Sequence, residues 1–214
     1  AAIQVAKNVI GARVIATTST AEKAAMAQEL GADEVINYNE EDITQRVNEL
    51  TGGAGVDAVV DHVGADFFPK AIRALRPGGR YGICGATTGL RAELHLGQLF
   101  SRQVEIYGVF MGTKEDMREI VAMLNRGAIH PVVDRTFPLR DASSAHQAME
   151  ETNFFGKLVL TPQLISPDAG RGTDTVGHTL RSGPSGPGPP PAAPGRAAAF
   201  GVGHTTPLTH GAPP

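Results

Sequence analysis

The residues best suited to chemistry form a tight row, Thr17-Thr18-Ser19-Thr20, with Lys23 three positions further on and Tyr38 closing the next apolar run. Hydroxyls beside a cation suit a phosphate, and helix amides at Thr20 and Ala21 would add partial positive charge. No acid directly follows the Arg13–Thr17 run to accept a ribose hydroxyl, so the row points to a ribose carrying a 2′-phosphate. The plain alternative is that Ser19 or Thr20 caps a helix while Lys23 lies on its solvated face. The neighbouring strands favour the phosphate reading.

Three more loops follow apolar runs. Asp61-His62-Val63-Gly64 places His62 as a polar residue at a helix top or an adenine-side contact, not as a catalytic group. Cys84-Gly85-Ala86-Thr87 and Val109-Phe110-Met111 supply small residues and backbone that allow close approach to a flat ring or ribose. Cys84 ends an apolar strand without a basic partner and is expected to be a buried hydrophobe. His95, His130 and His146 are scattered singly, so no metal ligand is assigned. No catalytic residue is assigned either. Gly53-Ala54-Gly55-Val56-Asp57-Ala58 matches G-x-G-x-x-A, but it precedes a strand and therefore reads as a turn.

These loops need a scaffold that brings strand ends together, and the hydrophobic pattern provides one. Helical spacing of Ile3, Ala6, Val9 and Ile10 is followed by Gly11 as a C-cap. Strands at 13–17, 34–37, 56–63, 80–84 and 104–110 then alternate with helices at 20–30, 41–50, 67–75, near Gln98, and at 114–126. Ala24, Met26, Ala27 and Leu30 are expected to face inward. Near-continuous apolar strands separated by helices predict an α/β fold with a doubly wound parallel sheet. Ligands of such sheets sit beyond the carboxyl ends of the strands, where the candidate residues fall.

Composition narrows the function classes. A formal charge of −3 without a basic block gives no electrostatic footprint for nucleic acid. No apolar run of ~18 residues suits a membrane span, and no signal-peptide pattern opens the chain. The single cysteine excludes an internal disulfide and favours a reducing compartment, so a cytoplasmic location is expected. From Gln163 onward, 52 residues include 10 Gly and 10 Pro, among them the run Gly183–Pro191. That share predicts a disordered Gly/Pro-rich tail unable to build a core. The expected division is a nucleotide-binding unit over 1–130, a short returning segment over 131–162, and the tail over 163–214.

The ordered set Ala1-Ala2-Ile3-Gln4-Val5-Ala6-Lys7, Glu29-Leu30-Gly31-Ala32-Asp33-Glu34-Val35-Ile36-Asn37-Tyr38, Thr51-Gly52-Gly53-Ala54-Gly55-Val56-Asp57, Leu75-Arg76-Pro77-Gly78-Gly79-Arg80 and Phe155-Gly156-Lys157-Leu158-Val159-Leu160 resembles the medium-chain dehydrogenase/reductase superfamily. That superfamily includes zinc-containing alcohol dehydrogenases and zinc-free quinone oxidoreductases. The resemblance implies a Rossmann sheet whose first strand and glycine fingerprint are missing from this sequence, and a C-terminal piece returning to a catalytic domain. It implies NADP(H) as cofactor, with Ser19, Lys23 and Tyr38 as the adenosine-phosphate cradle and Thr18 where NAD-dependent members carry an acid. Cys84 to Thr87 and Val109 to Met111 would frame the nicotinamide, and Asn153 and Lys157 would reach the cofactor from the C-terminal side. The implied reaction is hydride transfer between nicotinamide and a carbonyl, enone or quinone substrate. Zinc would enter only through an N-terminal domain lying outside this sequence. A homodimer paired through the strand at 104–110 is a further expectation. Two alternatives stay open: a non-enzymatic cofactor-binding protein, or a non-functional truncated gene product.

Overall fold

The computed structural model describes residues 1–151 and 153–162, together with the backbone of a strand at 197–201. Helix α1 (Ala2–Gln4) runs directly into a π-helical stretch, Val5–Ile10, which ends at Gly11 in the left-handed region at φ 73°. The elements that follow are β1 (Arg13–Thr18), α2 (Ala21–Glu29), β2 (Glu34–Asn37), α3 (Ile43–Thr51), β3 (Val56–Asp61), α4 (Phe68–Ala74) and β4 (Leu75–Ile83). Beyond them lie α5 (Leu96–Ser101), β5 (Glu105–Gly108), α6 (Lys114–Asn125), β6 (Val133–Pro138), α7 (Ala142–Glu150), β7 (Lys157–Thr161) and β8 (Ala197–Gly201).

The main sheet is parallel throughout, in the order β2-β1-β8-β3-β4-β5. Successive side chains of a strand point to opposite faces, and β1 shows both faces covered. Ile15 joins one apolar layer with Ile43 and Val47 of α3 and Ala71 and Ile72 of α4. Val14 and Ala16 join the other, with Ile3 and Ala6 of the first helix and Ala27 of α2. The fold is therefore α/β and doubly wound, as the sequence pattern implies. A second sheet pairs β6 and β7 in parallel, with α7 as the crossover.

Several expectations change. Val9 and Ile10 are exposed, whereas Gln4 is buried. The wider π-helical winding shifts the face that a 3.6-residue period would bury. Gln4 is satisfied by a reciprocal pair: its Nε2 donates to the His130 carbonyl at 3.0 Å and its Oε1 accepts from the His130 amide at 2.8 Å. Met26 also faces solvent, leaving Ala27 as the buried residue of α2. The central position between β1 and β3 is taken by β8, from within the segment expected to be disordered. The other residues of that segment lie outside those described. Gly53-Ala54-Gly55 forms the turn between α3 and β3, at the amino end of the strand.

Candidate functional site

The carboxyl ends of β1, β3, β4 and β5 carry the candidate residues, and local hydrogen bonding explains how they are held. Asp61, the last residue of β3, is fully buried. Its carboxylate accepts from the Val63 amide at 2.6 Å and the Gly64 amide at 3.3 Å, and from the Tyr81 hydroxyl. A short carboxylate turning back on its own chain is the usual way an Asp-x-x-Gly turn is fixed. Sequence reading missed this role, although the Asp61-His62-Val63-Gly64 spacing signals it. Burial, then the bond to Asp61 and the carboxylate charge, push the Tyr81 hydroxyl well above the ordinary phenol range. Tyr81 thus stays a donor, and its ring packs edge-on to Phe68 with centroids 5.2 Å apart.

That turn is joined to the loop after β4. The Cys84 amide donates to the Asp61 carbonyl at 2.8 Å, Thr87 Oγ1 to the His62 carbonyl at 3.2 Å, and the Thr88 amide and hydroxyl to the Val63 carbonyl at 2.9 and 3.0 Å. His62, Val63, Cys84, Gly85, Ala86 and Thr87 consequently form one platform. Gly64 is required where the loops meet: its φ is +93°, and a Cβ there would lie 2.7 Å from Ala86 Cα. Cys84 is exposed, contrary to expectation, because β4 ends at Ile83 and places it in the loop. Its thiol donates to the Asp61 carbonyl at 3.4 Å. Val109 is tied in by its amide bond to the Ile83 carbonyl at 2.8 Å, while Phe110 and Met111 project outward, 94% and 81% exposed.

The Thr18 row divides differently. Thr18 is fully buried and its hydroxyl donates to the Thr20 carbonyl, and Ser19 is 5% exposed. Thr20 is the helix cap, accepting from the Lys23 amide at 3.3 Å. Tyr38 packs against the core beside α3, its amide donating to the Thr18 carbonyl at 3.0 Å. Lys23 and Asn153, far apart in sequence, meet in a cleft of about 280 Å³ with Thr20, Phe154 and Phe155. Sequence reading missed the three carboxylates lining the same cleft, Glu22, Asp134 and Glu151. Glu22 is held below the usual carboxylate range by hydrogen bonds from its own backbone amide and from Thr20. Lys157 stands apart from that cleft and near Ala1, whose amine is lowered by burial and by the Lys157 charge.

Residues 1–126 match the sequence profile described as zinc-binding dehydrogenase. The chain belongs to this family. Within the wider medium-chain dehydrogenase/reductase superfamily, it is 35% identical to a 2-haloacrylate reductase from Burkholderia sp over 72% of its length and 49% of the relative's. It superposes on an NAD-dependent alcohol dehydrogenase at TM-score 0.69 and 43% identity, covering 74% of this chain and 46% of that one. A mycobacterial protein solved with NADPH matches at TM-score 0.65 and 34% identity, covering 75% and 53%. The chain spans about half the length of the curated relatives it matches. Its family is one of nicotinamide-dependent oxidoreductases. Among the described residues, no group of three His, Cys, Asp or Glu side chains could hold a metal ion. No helix among them is long and apolar enough to cross a membrane.

Proposed function

We infer that this chain binds a nicotinamide dinucleotide and serves hydride transfer to a carbonyl, enone or quinone, with NADP(H) as the preferred form. The observation that carries the reading is the hydrogen-bonded platform joining the Asp61–Gly64 turn to the loop at Cys84–Thr87, at the carboxyl ends of adjacent strands. Dinucleotides bind at such ends, next to the point where strand order reverses. The residues present fit the group: Gly64, Gly85 and Ala86 permit close backbone approach, and Asp61 and Tyr81 keep both loops rigid. When bound, the cofactor supplies the hydride chemistry. The chain's own task is to orient the ring on the platform and to hold the phosphate-bearing ribose near Lys23 and Asn153. Lys157, at the start of β7, would reach the cofactor from the β6–β7 unit. Substrate activation belongs to parts of the relatives that this chain does not span.

Three carboxylates around Lys23 favour a second reading, NAD(H), because Glu22, Asp134 and Glu151 repel a 2′-phosphate and can accept ribose hydroxyls. Isothermal titration with NADPH and NADH separates the two. Tighter NADPH binding, weakened by Lys23→Ala, is expected under the NADP(H) reading. Equal or reversed preference supports NAD(H), and failure to bind either overturns the proposal.

A further inference from the structure

The two loops of the platform are joined by hydrogen bonds and not by apolar packing. No residue from 84 to 90 belongs to either apolar layer of the sheet, and Leu90 is almost wholly exposed. The place of the loop after β4 is therefore set by its polar ties to the segment after β3. Three of those ties converge on Thr88, a residue that sequence reading passed over. We propose that Thr88 is a positioning residue for the nicotinamide ring: its hydroxyl fixes the spacing between the two loops, and with it the seat on which the ring lies. The proposal rests on the reading of the platform as the cofactor's seat.

The Thr88 amide and hydroxyl both donate to the Val63 carbonyl, and the same hydroxyl oxygen accepts from the Asp66 amide at 3.1 Å. A hydroxyl carries one proton and two lone pairs, so both of its bonds are made at once. Thr88 thus grips the chain on either side of Gly64, whose own amide is held by the Asp61 carboxylate. The bond to Asp66 has a further use, because α4 begins at Phe68 without a side-chain cap from its own sequence. A side chain from the neighbouring loop meets a donor just ahead of that helix instead. The loop is shaped to present it: the Gly89 amide donates to the Ala86 carbonyl at 3.3 Å, and the Gly89 carbonyl accepts from the Ala65 amide at 3.4 Å. Gly64 shows how closely the loops meet, since a Cβ there would lie 2.7 Å from Ala86 Cα and 2.9 Å from the Gly89 carbonyl oxygen. A loop that drifts from this contact changes the surface that Gly85 and Ala86 offer to a flat ring. Tyr81 acts at the other end of the same chain of bonds, through the Asp61 carboxylate to the Val63 and Gly64 amides. A ligand that needs the loops locked loses apparent affinity in proportion as the locked state is depopulated.

Isothermal titration of the full chain with NADPH and with adenosine 2′,5′-bisphosphate tests the assignment, because the second ligand carries the adenosine end and no nicotinamide. NADH and AMP are titrated in parallel, so the outcome does not depend on which cofactor form is preferred. Thr88→Val keeps the side-chain shape and removes the hydroxyl. It is expected to weaken the dinucleotide at least about fivefold while leaving the adenosine nucleotide within about twofold. Thr88→Ser keeps the hydroxyl and is expected to retain most of the affinity. A merely structural role would lower the unfolding midpoint and leave the ratio of the two affinities unmoved, and that result overturns the proposal. If Thr88→Val does not fold, Tyr81→Phe, which acts through Asp61, carries the same expectation of a selective loss. Failure of the unmodified chain to bind either dinucleotide defeats the cofactor reading, and this proposal falls with it. Normal dinucleotide binding that Thr88→Val leaves unchanged defeats this proposal alone.

Discussion

The inner strands and the outer wing of this molecule are built on different principles. In β1, five consecutive residues, Val14 to Thr18, are buried, their side chains alternating between two apolar layers. In β5, at the edge of the same sheet, all four residues are exposed, and α6, which follows it in the chain, buries none. Met117, Ile120, Val121 and Leu124 of α6 remain open to solvent, as do Ile106 and Tyr107 of β5. Apolar residues thus do two jobs here. In the centre they hold the sheet between its helices, and in the wing they present an uncovered surface. Global stability should accordingly be concentrated in the inner strands, with the wing contributing local order.

The sharpest way to break this contrast is a pair of equal truncations. Leu75→Ala, at a position 1% exposed in the layer beneath α3 and α4, is expected to cost about 2–5 kcal/mol in denaturant unfolding. Ile106→Ala on β5 is expected to cost less than about 1 kcal/mol in the isolated chain. Equal losses would show that the wing is part of the cooperative core.

How much of this contrast can be read without coordinates depends on what sets each feature. The alternation of strands and helices is visible because both faces of the central sheet are covered, which demands apolar, β-branched runs such as Val14-Ile15 and Val59-Val60. Gln4 and the π-helical stretch were not visible, since a helical period cannot anticipate a polar residue buried to meet His130. Thr18 and Ser19 read as ligand hydroxyls from type alone, yet their depth at the end of β1 turns Thr18 inward to the Thr20 carbonyl. The cleft carboxylates Asp134 and Glu151 come from the β6–β7 unit and reach Lys23 only through tertiary structure. β8 was illegible for a stronger reason: nothing in Ala-Ala-Ala-Phe-Gly asks to be a strand by itself.

Next in size is the polar pair within the inner strands. Tyr81→Phe removes the hydroxyl donor from fully buried Asp61 and is expected to cost about 1–3 kcal/mol, measured by chemical denaturation. The same change should loosen the Asp61–Gly64 turn, which amide exchange at Val63 and Gly64 would report. The pH dependence has a definite sign. The folded hydroxyl is raised above its unfolded value near 10, so its contribution is fully present below about pH 10 and is lost as pH rises through the folded value. Unmodified protein should lose stability in alkali more steeply than Tyr81→Phe, and parallel curves would sink the assignment.

The smallest effects belong to the wing and test whether it folds as a local unit. Thr113 and Asp116 form a capping box at the start of α6, with Asp116 Oδ2 accepting from the Thr113 amide at 2.6 Å and Thr113 Oγ1 accepting from the Asp116 amide at 3.2 Å. Hydrogen bonds from the Thr113 backbone and side chain hold the Asp116 carboxyl below its ordinary value. A depressed carboxylate stabilises above its unfolded pKa of about 3.9 and loses that contribution as pH falls through the folded value. Helical chemical shifts of α6 should therefore diminish on acidification before those of α3 change. Thr113→Ala should produce the same local fraying at neutral pH while leaving the global unfolding midpoint unmoved. If the midpoint falls together with the α6 signals, the wing and the inner strands unfold as one unit, and the apolar surface of α6 must be covered by contacts that stabilise the whole domain.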